Sequence, residues 1–160
     1  ELTVIEDIDD SDSIIELMED SVDTLLERFS EQYREDNRLA PKELYQGKEG
    51  FAKHLGYETD YQRARTKAQK EGKNILLVLT TNYCPWCRKF EQNVLAKKSV
   101  NRAIHKKYIP VILNRDEKKF PEKFTSSFTP VTYFIDAKNE EVLHKVSGYN
   151  NRDEFMHLIQ

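Results

Sequence analysis

The chain has 160 residues, 38% hydrophobic and 33% charged, with five glycines, five prolines and a net charge of −3. This composition excludes collagenous and low-complexity classes, gives no electrostatic reason to expect nucleic-acid binding, and contains no apolar run near the ~20 residues that cross a bilayer. Two cysteines are too few for a disulfide scaffold, and their spacing of three marks them as chemistry. The charge is unevenly spread: residues 1–40 hold 14 of the 28 acids and only Arg28, Arg34 and Arg38 as bases, so the remainder is basic. Such a split fits an acidic arm on a basic body, or a separately solvated segment. The start at Glu1, with neither Met nor leader, reads as a processed or trimmed product and leaves the compartment open.

In chain order, the first predicted element is an amphipathic helix over 12–36. Ile15, Met18, Val22, Leu25 and Phe29 recur at spacings of three and four, with acids filling most other positions. Ala40-Pro41 ends it, and 41–57, with Gly47, Gly50 and Gly56, reads as a linker containing a short helix. From Thr59 to Glu71 a polar stretch carries Tyr61, Ala64 and Ala68 at helical spacing, with Gly72 placed for a C-terminal cap. Asn74–Thr81 (NILLVLTT) holds five consecutive large aliphatics, the pattern of a strand buried on both faces, hence central and parallel. A helix is predicted from Pro85 to Ala96, and a shorter one, capped by Ser99, to Lys107.

Tyr108–Asn114 (YIPVILN) is a second strand, with Pro110 favouring an edge or a strand start. After a charged stretch over 115–127, Val131–Ile135 and Glu141–Val146 pair as a hairpin across the 137–140 turn. Asn151–Ile159 closes as a helix. Helix–strand alternation followed by a terminal hairpin implies an α/β fold with a mixed sheet between helices.

The chemistry centres on Cys84-Pro85-Trp86-Cys87, between the buried strand and the next helix. A helix N-terminus offers unpaired backbone N–H groups and the positive end of the dipole, both of which favour a thiolate, the attacking species. Pro85 suits the first turn, where a missing N–H costs nothing. Two intervening residues bring Cys87 within one turn, close enough to resolve a mixed disulfide formed on Cys84. Other uses of the pair fit less well. A zinc site needs four ligands, and His54, His105, His144 and His157 are scattered. A c-type haem site needs His where Arg88 stands.

NILLVLTTNYCPWC followed by RKF resembles the active-site strand and helix of the thioredoxin superfamily, and Phe128-Thr129-Pro130-Val131-Thr132 followed by YFID resembles its proline segment. The likeness covers about 58–160, leaving 1–57 as an acidic helical extension and linker. It implies a thioredoxin fold, a mixed central sheet flanked by helices, with the N-terminal amphipathic helix added. It also implies that Pro130, 43 residues after Cys87, is cis and packs beside the sulfurs, that Thr129 meets the substrate chain, and that Tyr83 is an aromatic wall. Trp86 reads as an exposed lip over the site.

Within the superfamily the chain is similar to periplasmic modules, notably the C-terminal domain of the bacterial transmembrane thiol:disulfide interchange protein. There the Cys87-Arg88-Lys89-Phe90-Glu91 run places Glu91 on the family's active-site glutamate. An exposed helical acid beside Arg88 or Lys89 is the alternative for Glu91. Thioredoxins carry a buried Asp six residues before the first cysteine; here that residue is Val78. The resemblance therefore implies a protein thiol-disulfide oxidoreductase using Cys84 and Cys87, aided by Glu91, with Tyr83, Trp86, Thr129 and Pro130 contacting substrate. No metal or organic cofactor, no nucleic acid and no membrane span are expected. The expected partners are thiol- or disulfide-bearing proteins and a redox partner protein, in a periplasmic or otherwise exported location. A non-catalytic interaction protein and a dimeric disulfide isomerase stay open as alternatives. For the 12–36 helix, docking on the body, homodimerisation and partner binding all remain open.

Overall fold

A computed structural model describes residues 47–160 together with Val22, Thr24, Leu25 and Leu26. The chain divides into two units, Glu1–Arg38 and Leu39–Gln160. The four early residues are helical, with Val22, Leu25 and Leu26 exposed. The rest of the expected 12–36 helix, and with it the proposed homodimer contact, lies outside the described residues.

The second unit runs through helices α1 (Gly47–Leu55) and α2 (Tyr61–Glu71), strand β1 (Asn74–Thr80) and helix α3 (Pro85–Phe90). A π-helical turn (Glu91–Leu95) extends α3, and helix α4 (Lys98–Lys107) leads into strand β2 (Tyr108–Asn114). Strands β3 (Val131–Ile135) and β4 (Val142–Ser147) and helix α5 (Arg152–Ile159) complete it. The sheet order is β2-β1-β3-β4, with β1 parallel to β2 and antiparallel to β3, and β3 antiparallel to β4. This is an α/β thioredoxin fold with a mixed four-stranded sheet flanked by helices.

Strand alternation builds the two layers. Ile75, Leu77 and Leu79 of β1 join Tyr61, Ala64 and Ala68 of α2 on one face of the sheet. Leu76 and Val78 point the other way, into Phe90, Val94, Val100, Ile104 and Phe155 of the helices opposite. An aliphatic run without polar breaks thus suits a strand covered on both sides. On the outer side of β2, Glu58 donates its N–H to Pro110 O (2.9 Å) and accepts from Ile112 N–H (3.0 Å). Pro110 therefore lacks its N–H on the side away from β1, where the strand ladder loses nothing.

Local signals set the boundaries. Asp60 caps α2 by accepting from Arg63 N–H at 2.7 Å, and Gly72 ends it at φ 66°, the left-handed region glycine enters freely. Asn151 and Glu154 form a reciprocal capping box on α5. The expected Ser99 cap does not form: Lys97 is the first residue outside α4 and makes no side-chain cap. The Ser99 hydroxyl instead accepts from Arg152 at 3.3 Å. Helix α1 lies in the stretch read as linker, yet Phe51, Ala52 and Leu55 are buried core residues. No helix among the described residues is long and apolar enough to cross a membrane.

Candidate redox site

Cys84 and Cys87 form a disulfide with their Cα atoms 5.2 Å apart. Strand β1 ends at Thr80 and a short turn delivers Cys84 in extended conformation as the N-cap of α3, with Pro85 in the first turn. Capping is done by sulfur: Cys84 Sγ accepts the Cys87 N–H at 3.1 Å. Cys84 is 9% exposed and Cys87 is fully buried, so an incoming thiol reaches Cys84 first.

The chain returns to the sulfurs through the segment before β3. The Thr129–Pro130 bond is cis, the isomer the resemblance implied. Thr129 Oγ1 donates to Cys84 Sγ at 3.5 Å, and Thr129 O lies 3.7 Å from the same sulfur. Thr81 Oγ1 is 3.5 Å from Thr129 Oγ1. Because Thr129 has one hydroxyl proton and gives it to sulfur, Thr81 must be the donor in the second contact. Backbone N–H and hydroxyl donors converging on one sulfur favour its ionised form on reduction.

Glu91 is 6% exposed and is the one buried carboxylate among the described residues. The exposed-acid alternative is thereby removed. Burial pushes its carboxyl above the usual range, and the Arg88 guanidinium beside it partly offsets this. Arg88 donates to Glu91 Oε1 at 3.0 Å and to Thr81 O at 3.3 Å. Its Nε lies 2.8 Å from Glu91 Oε2, an ion-pair contact without hydrogen-bond alignment. Arg88 thus ties the carboxylate to the strand end that carries the Thr81 hydroxyl. The buried Tyr57 hydroxyl finds no partner among the described residues, and burial, with Glu91's charge adding, raises its phenol pKa. Burial of Glu91 was readable in principle: Cys87, Phe90, Glu91, Val94 and Leu95 follow the 0, 3, 4, 7, 8 stripe of a core-facing helix. All five are buried. Val78, at the position of the thioredoxin Asp, is fully buried and apolar.

Beside the disulfide a groove of about 540 Å³ is lined by Trp86, Phe128, Thr129, Pro130, the Ser147-Gly148 turn and Tyr149. Trp86, 55% exposed, has its ring centroid 5.7 Å from that of Tyr149, which in turn sits 6.3 Å from buried Phe90. Lys89 Nζ lies 4.5 Å above the Trp86 ring. Gly148, at φ 82°, donates its N–H to Pro130 O at 2.7 Å and so fixes the β4 end against the proline. Trp86, Thr129 and Pro130 therefore line one groove. Tyr83 does not join them: at 99% exposure it projects into solvent, neither packing at the strand end nor lining the groove. Phe128 and Tyr149 were missed as site residues, although adjacency to Thr129 and to the Gly148 break marks both positions. No cluster of three or more potential metal ligands occurs among the described residues.

A mouse relative, spermatogenesis-associated protein 20, is 30% identical over 71 residues, covering 44% of this chain and 9% of its own length. The chain thus spans a small part of that relative. Among solved structures, a thioredoxin from Thermus thermophilus superposes with a TM-score of 0.56 at 22% identity, over 64% of this chain and 83% of that one. The oxidised DsbD C-terminal domain from Neisseria meningitidis gives 0.51 at 16%, over 64% of this chain and 95% of that one. At such identities the structural likeness concerns the fold alone. The thioredoxin-like domain family matches residues 61–160, a span that takes in the disulfide, Glu91 and the cis-proline, and the chain belongs to that family.

Proposed function

We propose that this protein is a thiol-disulfide oxidoreductase acting on protein thiols and disulfides through Cys84 and Cys87. The observation that carries the reading is the sulfur asymmetry: Cys84 is at the surface edge with two donors on its Sγ, while Cys87 is buried behind it. In the reducing direction, the Cys84 thiolate attacks one sulfur of a client disulfide, forming a mixed disulfide and releasing the other client sulfur as a thiolate. Cys87, as thiolate, then attacks Cys84 Sγ, restoring the internal disulfide and releasing the second client thiolate. Two electrons pass to the client. The proton leaving Cys87 is taken by Glu91, the buried carboxylate one turn further along the helix. The oxidising direction is the same sequence reversed.

A redox partner protein that resets the pair completes the cycle. An exported, periplasm-like setting is the location we propose, on the sequence resemblance alone. The test is Cys87→Ser, in which the first step proceeds and the second cannot. Incubation with reducible protein substrates is expected to leave a dithiothreitol-sensitive adduct on Cys84, seen by mass spectrometry and absent from Cys84→Ser. A Cys84 thiol that alkylates with an ordinary pKa near ~8.5 and captures no substrate would overturn the reading.

A further inference from the structure

We propose that Tyr57 is a positioning residue for Glu91: through one internal water shared with the Arg88 Nε–H, its hydroxyl donates to the carboxylate that takes the Cys87 proton. This role rests on the oxidoreductase reading and adds to it a residue from the segment that reads as linker. Among the described residues, three buried side-chain N or O atoms have no hydrogen-bond partner: Tyr57 Oη, Arg88 Nε and Asn101 Oδ1. Two of the three belong to groups set against one carboxylate. Arg88 Nε lies 2.8 Å from Glu91 Oε2 but is not aligned to donate to it. Tyr57 shares its core cluster with Phe90, Val94 and Leu95, which flank Glu91 along the helix, and the Glu91 charge acts on its phenol. Buried polar groups are almost always hydrogen-bonded, and internal waters take up those that the chain leaves over. A water accepting from Tyr57 Oη and Arg88 Nε and donating to Glu91 makes three bonds, the usual number for a buried water.

The Tyr57 ring is fixed from two sides. Phe51 meets it edge-on at 5.3 Å between centroids, and His105 of α4 does so at 6.3 Å. His105 is itself tied through Nε2 to Leu55 O at 2.8 Å. From β1 and α5 the same core receives the apolar Leu76, Val78 and Phe155. Among the described residues, the titratable or charged groups around the Tyr57–Glu91 pair are therefore Arg88 and Cys87 of α3 and His105 of α4. A donor to the ionised carboxylate favours that form, so Tyr57 opposes the effect of burial and keeps Glu91 ready to accept a proton.

The test is Tyr57→Phe in the full-length chain, which keeps the ring and its contacts and removes the hydroxyl. In the oxidised protein, NMR of the Glu91 side-chain carbon follows its titration without any catalysis. The midpoint is expected about one pH unit higher in the variant, the low end for a hydrogen bond to a charged group. The reduced protein is then mixed with dithiobis-nitrobenzoate. Cys84 thiolate attacks this disulfide, forming a mixed disulfide and expelling one coloured thionitrobenzoate. Cys87, giving its proton to Glu91, attacks Cys84 Sγ, closes the internal disulfide and expels the second. The acid limb of this second colour phase should move up by the same unit, so that resolution on the limb is about tenfold slower while the plateau at higher pH is kept. With Glu91→Gln already in place, Tyr57→Phe should alter the second phase by less than about twofold. A Glu91 titration and acid limb that stay where they are, whatever the change in denaturation midpoint, would reduce Tyr57 to packing and overturn the proposal while leaving the oxidoreductase reading intact. A single colour phase no faster than free cysteine in the parent would sink both.

Discussion

Thr129 Oγ1 lies 3.5 Å from Cys84 Sγ, a contact made across 45 residues of chain. A hydrogen bond to a charged acceptor contributes about 1.5 kcal/mol at the low end, close to one pKa unit. Thr129→Val keeps the branched shape and removes the donor. The Cys84 thiol pKa in the reduced protein is expected to rise by about one unit, measured from the pH dependence of iodoacetamide alkylation.

Glu91 links the site to pH. Its folded-state carboxyl is raised by burial, so the native state binds the proton more tightly than the unfolded chain. The associated stability is fully present below the unfolded value and is lost as pH rises through the folded one. In Glu91→Gln this loss is absent. The melting-temperature difference between variant and parent should therefore move in the variant's favour as pH climbs from about 4 to neutrality. The same variant should slow resolution of the mixed disulfide at neutral pH about a hundredfold, the lower range for positioned proton transfer. A stopped-flow trace of the second step reads this directly.

Arg88 makes the opposite change. Removing it by Arg88→Met leaves Glu91 buried without its counter-charge, a loss that costs about 3–5 kcal/mol for fully enclosed pairs. The Arg88 side chain is 38% exposed, and solvent screening reduces the expected cost to about 1–2 kcal/mol at pH 7. At pH 4, with the carboxyl protonated, parent and variant should differ little. Urea melts at the two pH values provide the comparison.

Phe51 tests where the folded body begins. At 2% exposure, with its ring centroid 5.3 Å from that of Tyr57, it is a core side chain in a segment that reads as linker. Phe51→Ala should destabilise the protein by about 3–5 kcal/mol. A change below about 1 kcal/mol in equilibrium denaturation would mean that α1 is dispensable.

Several features were decided by the sequence alone, because they are local or periodic. Five aliphatics in a row, bounded by Gly72 and the Cys84-Pro85 break, are too short for a buried helix and suit a strand covered on both faces, and β1 lies in the middle of the sheet. A proline one residue past a cysteine, at a strand-to-helix break, fixes Cys84 as the cap of α3. Asp60 and Gly72 delimit α2 by their own backbone preferences. What lay beyond reach of local rules depends on distant segments meeting. Thr129 comes to the sulfur only because β3 pairs antiparallel to β1, and Phe128 and Tyr149 share a groove only because the ends of β3 and β4 lie together. Tyr83 shows the converse: its neighbour Cys84 is nearly buried while it stands almost wholly in water. Residues adjacent in sequence leave a turn in different directions, and only the packing around the turn determines which of them meets the protein and which meets solvent.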